Sequence, residues 1–286
     1  AFKRLIESNG GQVVVNADVT KILVRNKSAY GVQVHDGSVY EAKKAVICNV
    51  TPTQLYGRLL PPELVPPATK RMANRYSYGR AGMQMHIAMS EPPRWRDERL
   101  NGVGLVHITP GLDGVSRSIN EADCGLLPSD GTIVVGQPAE TDPTRCPPGQ
   151  SILWIQLLEL PRRLRGDAAG AITVPADGGW TDQIRDAYAE RILHRLGEYI
   201  TNLDGARLAM TALSPTNLEQ WNMNLVGGDP YSGSSSIDQF HLFRPFGSGH
   251  NHRTPLKKLF HIGASTHPGP GLSGMSGHMV ASQIKP

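Results

Sequence analysis

The sequence predicts a mixed α/β fold. One α/β domain is divided between the two ends of the chain, and a second domain is inserted between the halves. Three observations predict it. Near the amino end, a helix-like segment, a hairpin-rich meander and a short apolar strand follow one another. The middle carries several alternating strands and one long amphipathic helix. The last stretch runs apolar strand, glycine-rich loop, helix. Buried strands alternating with helices indicate an α/β layer, and alternating strands under helical cover indicate a mostly antiparallel sheet.

Taken in order, AFKRLIES places Phe2, Leu5 and Ile6 on one helical face, with Gly10 and Gly11 as its stop. Residues 13–15 (VVV) read as a strand, and residues 19–24 as a second one that turns at Asn26, Lys27 and Ser28. Val32 and Val34 alternate with polar neighbours. Asp36-Gly37 is a hairpin signal, and the chain returns over residues 39–41. Residues 45–48 are nearly all apolar, as in a parallel strand covered on both faces. Residues 1–52 therefore form one part of a nucleotide-binding type of α/β domain.

Residues 53–250 form the inserted domain, with its carboxyl boundary between 213 and 250. Met83, Met85, Ile87 and Met89 alternate in MQMHIAMS; GVGLVHITP, TIVVGQP and SILWIQLLELP supply further strands. In TDQIRDAYAERILHRLGEYI, Ile184, Tyr188, Ile192 and Leu196 keep a helical stripe and Thr181 is the N-cap. The chain is loop-rich from Ser214. Residues 251–286 return to the first domain with a strand over 259–262 and a helix over 273–284 that turns Met275, Met279 and Val280 one way.

Bulk properties narrow the function. The net charge of +4 is spread along 286 residues, which leaves no nucleic-acid footprint. Cys48, Cys124 and Cys146 are far apart and form no CxxC pair. That argues against a disulfide framework or a zinc site and for a reducing, intracellular compartment, cytoplasm or organelle matrix. No apolar run has the length of a membrane span. The chain opens mid-pattern without a signal peptide or an initiator Met, and is expected to be a fragment of something longer.

The stretch HIGASTHPGPGLSGMSGH, from His261 to His278, is the main chemical feature. A strand, a glycine-rich loop and a helix form an anion-cradling arrangement, because bare backbone lets N–H groups and the positive helix end approach a ligand. A ligand-free loop closing a domain fits the residues equally well. The spacing matches neither GxGxxG, GxxxxGK[ST] nor GxSxG. His250, His252, His261, His267 and His278 lie close in sequence, but no HExxH and no carboxylate follows Asp238, so no metal is expected. Glu159, Glu219, Asp229 and Asp238 have no partner in sequence that marks a general base. Trp221, Tyr231, Phe240, Phe243 and Phe246 wall either an apolar pocket or a loop's underside.

IDQFHLFRP and HRTPLKKLFHIGASTHPGPGLSGMSGHMVA resemble the carboxyl-terminal signature of the phytoene desaturase-like FAD-dependent oxidoreductases. GGQVVVNADVTKILVRNKSAYGVQVHDGSVYEAKKAVICNVTP and TDPTRCPPGQSILWIQ resemble two further segments of that family. The resemblance implies a two-domain flavoprotein of amine-oxidase-like architecture with a non-covalent FAD. It acts on a C–C or C–N bond of a largely apolar substrate, with peripheral membrane contact. By the same resemblance, Gly263 and Ala264 would lie near the pyrophosphate and ribityl chain. Gly271, Leu272, Ser273 and Gly274 would bring backbone to the flavin ring. Val19 would contact adenine, and Asn49 would line the cofactor path. His267 is the one catalytic candidate. Three departures stand out: Pro270 replaces a glycine, His278-Met279 replaces an Asn-Ala-like pair, and the amino-terminal GxGxxG strand is not in this sequence. The missing amino-terminal half is therefore expected as a partner, so the FAD-binding Rossmann-like domain is incomplete here. The alternative is a non-catalytic binding or assembly module derived from such a flavoprotein.

Overall fold

A computed structural model describes residues 1–247, 252–271 and 274–284. The chain forms two compact units: Ala1–Ser77 with Tyr231–Pro286, and Tyr78–Pro230.

In the first unit, strands Val46–Asn49 and Leu259–Ile262 pair in parallel, from Val46 opposite Leu259 to Asn49 opposite Ile262. Beside them in sequence, Val19–Arg25, Ser28–Val34 and Val39–Glu41 form an antiparallel three-stranded meander. Its first hairpin turns on Asn26 and Lys27, both in the left-handed region at φ 50° and 57°. That is the geometry a two-residue turn needs to follow the twist of its strands. Residues 13–15 depart from expectation. They form no strand, their valines are exposed, and Asn16 at φ 55° breaks the extended run directly after them. Helix Phe2–Ser8 forms as its pattern predicts but buries none of its residues.

The compact units divide at 77/78 and 230/231; the second border lies within the expected span of 213–250, and the first lies beyond the expected 52/53. The physical reason lies in residues 53–77. Leu55, Tyr56, Leu59, Leu60, Val65 and Ala73 fill one core with Ile22, Val46 and Leu259. Helix Pro67–Arg75 starts on a proline, which costs nothing at a position whose N–H has no helical partner. The terminal helix spans Met275–Ala281, shorter than the expected 273–284, with Gly274 at φ 65° as its N-cap.

The second unit is a five-stranded antiparallel sheet in the order Arg207–Leu213, Ala81–Met89, Ser151–Leu160, Ile133–Gly136, Leu105–Ile108. Met83, Met85, Ile87 and Met89 are fully buried on one face. Helix Asp182–Gly197 packs there through Ile184, Tyr188, Ile192 and Leu196, as its stripe predicts. Thr181 caps it, accepting a hydrogen bond from the Ile184 N–H. Burying each such side chain contributes about 1.5–3 kcal/mol relative to exposure. The sequence reading missed helix Gly111–Asp123, strand Arg207–Leu213 and helix Pro215–Trp221. The first buries only Ser118 and Ala122, so it carries no large apolar stripe for periodicity to detect.

Candidate functional site

The site is built at the carboxyl ends of the parallel strand pair, the edge at which open α/β sheets bind their ligands. Strand Leu259–Ile262 ends at Gly263, whose φ of 102° is open only to glycine. A Cβ there would collide with the side-chain oxygen of Asn49, the last residue of the neighbouring strand. The Gly263 N–H donates to Ser276 Oγ at 3.1 Å, and its carbonyl accepts from Thr266 Oγ1 at 2.8 Å. Both backbone groups are engaged, so what the position offers outward is a bare Cα.

Beneath this corner, the Val50 carbonyl accepts from His261 Nε2 at 2.6 Å and from Ser265 Oγ at 3.0 Å. Because a carbonyl only accepts, His261 carries its proton on Nε2. Burial depresses the His261 pKa from its ordinary 6.5 to about 4, against the opposing pull of the Val50 bond, so the ring is neutral at physiological pH. Tyr56 meets it edge-on at 6.2 Å. His261 is thereby a structural clasp between the two strand ends.

The loop beyond carries three more left-handed glycines, Gly269 at φ 118°, Gly271 at 143° and Gly274 at 65°. A Cβ added at Gly271 or Gly274 meets nothing within 4 Å among the described residues, so the loop presents open backbone. Pro270 sits half-buried between two of these glycines, with its φ fixed and no N–H to offer. Among the residues anticipated from sequence, Asn49 and Gly263 are brought into contact. Ala264 follows Gly263 at the strand end, and Gly271 and Gly274 share the loop. Val19 lies at the start of the meander, opposite Val34. Leu272, Ser273 and His250 lie outside the described residues. His267 is half-buried; its Nδ1 lies 3.2 Å from the His241 carbonyl and its ring stands edge-on to the His241 ring at 4.8 Å.

Sequence reasoning missed the polar frame behind the loop. Gln239, buried, accepts from the Ser77 N–H at 2.9 Å and donates to the Ser77 carbonyl at 2.7 Å. Arg244 is fully buried, and its Nη2 donates to the Gly233 carbonyl. Both belong to IDQFHLFRP; a charged residue flanked by Phe243 and Phe246 was the available signal. Glu159 proves to be structural, accepting from Ser118 Oγ at 2.8 Å and the Thr132 N–H at 2.9 Å.

Left-handed glycines opening onto free space, together with Arg244 N–H groups that no described residue accepts from, suit a large, partly anionic planar ligand with a phosphate tail. The residues present fit a flavin nucleotide. Within the second unit, the sheet face opposite the core carries a groove of about 520 Å3, lined among others by His86, Leu105, Ile152 and Trp154. Gly136 makes room for the Trp154 ring, since a Cβ there would come within 2.9 Å of it.

A family model described as flavin containing amine oxidoreductase matches residues 2–274. Pyridine nucleotide-disulfide oxidoreductase domain-containing protein 2 of Mus musculus is 23% identical, over 97% of this chain and 47% of its own length. A lycopene-forming phytoene desaturase of a Paracoccus strain is 27% identical, covering 97% and 51%. A limonene dehydrogenase component from Castellaniella defragrans is 23% identical, covering 96% and 51%. The chain thus spans about half the length of the curated relatives it matches. A crystal structure of an oxidoreductase from Methanosarcina mazei shares the fold, with a TM-score of 0.57 and 18% identity over 99% of this chain and 52% of that one.

Proposed function

The chain belongs to the flavin-containing amine oxidoreductase family, a family of FAD-dependent oxidoreductases, and on that premise we propose that it is the carboxyl-terminal portion of an enzyme that removes hydride from a C–C or C–N bond of a largely apolar substrate. The observation that carries this reading is the run of left-handed glycines at the carboxyl ends of two parallel strands, beginning where Gly263 meets Asn49. When bound, the flavin supplies the redox chemistry, and the protein supplies its placement. Gly263 and Ala264 let the cofactor approach the strand end. Gly271 and Gly274 give it bare backbone. Asn49 borders its path, and Val19 offers backbone further out. The His261 clasp on Val50 fixes the two strand ends that carry these groups. His267, bonded to its neighbour's backbone, is the candidate to orient substrate.

An apolar substrate is supported by the names of two relatives, a phytoene desaturase and a limonene dehydrogenase component. The partner is an amino-terminal half that carries the nucleotide-binding strand; a parallel ladder of only two described strands and the uncovered side chains of Phe2–Ser8 support it. Exposed Ile237, Leu242 and Phe243 support peripheral contact with a membrane surface. Among the described residues, no helix is long and apolar enough to cross one. Three free cysteines support a reducing compartment.

The deciding experiment is an FAD titration of this chain, alone and co-expressed with the preceding half of its source protein. Flavin absorbance in the purified pair, reduced on adding an apolar substrate, is the expected result. A pair that stays colourless favours the non-catalytic module instead.

A further inference from the structure

Arg244 is a side chain of the first unit whose chemistry the fold leaves unfinished. It is fully buried, and its Nη2 bonds to the backbone carbonyls of Gly233 and Ser234. Among the described residues, neither Nε nor Nη1 has an acceptor. A guanidinium cannot shed its charge, so burial without an anionic partner is heavily penalised. The fold nevertheless holds it in place. Tyr76 Oη donates to the Ser232 carbonyl at 2.9 Å, and Gly233, at φ 146°, has no room for a Cβ between Tyr76 and Arg244. The cation therefore rests on a rigid backbone shelf.

Its direction is set as well. A Cβ on Gly269 would lie 3.6 Å from Arg244 Nη1 and 3.9 Å from the Phe240 ring. The unsatisfied nitrogen thus lies behind the glycine loop, at a residue whose φ of 118° keeps it free of a side chain. A fixed, desolvated donor behind a bare-backbone loop is built to take an anionic oxygen.

We propose that Arg244 is the anion anchor of the glycine loop and receives, through its Nε–H and Nη1–H, an anionic oxygen of the bound flavin nucleotide. This rests on the flavin reading of the site. Two parts of the cofactor can present such an oxygen, the pyrophosphate in either redox state and the pyrimidine edge of the ring when it is reduced.

The test uses the full-length protein with FAD as the probe, comparing wild type with Arg244→Met and Arg244→Lys. The FAD dissociation constant is expected to rise at least tenfold in Arg244→Met and less in Arg244→Lys, while the melting temperature of the apoprotein stays near wild type. A midpoint potential that then stays fixed assigns the pyrophosphate; one that moves negative, with weaker sulfite addition, assigns the ring edge. Unchanged FAD affinity in a folded Arg244→Met protein overturns the proposal. So does loss of the folded apoprotein in both variants, which makes the residue structural. A wild type that takes up no flavin overturns the functional reading, and this proposal with it.

Discussion

Two residues set the corner where the strand ends meet. Gly263 needs its conformation and its lack of a Cβ for separate reasons, and a double substitution separates them. Gly263→Ala meets both a left-handed φ and the Asn49 side chain; we expect a loss of about 2–4 kcal/mol, read as a lowered denaturation midpoint, together with loss of flavin uptake. Adding Asn49→Ala removes the collision but not the φ penalty, so it should restore only part of the stability. Full restoration would refute the φ argument. His261 gives a pH signature. Its folded pKa is about 4 against an ordinary 6.5, so in that window the unfolded chain binds a proton that the native state refuses. Its stabilising effect is complete above pH 6.5 and is lost as pH falls towards 4, by up to about 3 kcal/mol. Urea midpoints at pH 7, 5.5 and 4.5 should fall more steeply for wild type than for His261→Gln. Parallel slopes would mean that the ring is not held neutral. At this scale, the glycines were legible from sequence because their only rationale is backbone. The His261 clasp and the Arg244 shelf were not, since their partners are carbonyls of Val50 and Gly233, which no residue name announces.

Among elements, helix Asp182–Gly197 is tied to the strand Gly166–Asp167 by an ion pair. Arg191 reaches Asp167 through two bonds of 2.8 and 2.6 Å, and the carboxylate also accepts from the Ala171 and Ile172 N–H groups at 2.8 Å. Burial of the Asp167 carboxyl raises its pKa, but these four donors outweigh it and hold the value below the usual range. Arg191→Met leaves a carboxylate that is 1% exposed without its cation. The expected cost is about 3–5 kcal/mol, visible as a shift in the urea midpoint at unchanged slope. A shift below about 1 kcal/mol would show that the backbone donors alone suffice. The strands and the long helix were legible because period and burial coincide: every second residue of Ala81–Met89 from Met83 is inside. Residues 13–15 show the converse. Valine propensity alone makes no strand where no neighbour accepts the backbone.

At the scale of the whole molecule, the two units differ in how far their strands and helices are covered. In the second, the buried residues of one cluster close over both the sheet and the helix without help from elsewhere in the chain. In the first, the parallel ladder has two described strands, Ile47 is 46% exposed on one of them, and helix Phe2–Ser8 leaves Phe2 82% exposed. Parallel strands are normally covered on both faces, because their connections place helices there. Residues 53–77 go with the first unit because Leu55, Tyr56, Leu59, Leu60 and Val65 of LYGRLLPPELV fill its core, which a proline-rich stretch does not announce in sequence. Hydrogen exchange tests the difference directly. Amides of Ile133–Gly136 and Ser151–Leu160 should be strongly protected in this chain alone, and residues 78–230 expressed separately should unfold cooperatively. Amides of Val46–Asn49 should exchange orders of magnitude faster, and should slow when the preceding half of the source protein and FAD are both added. Binding adds stability only to the state that binds, so the gain should fall on the strands that border the cofactor and be absent from the second unit's core strands. Equal protection of both sheets in the chain alone would mean that the two-stranded ladder is already a finished structure, and that the preceding half is not its complement.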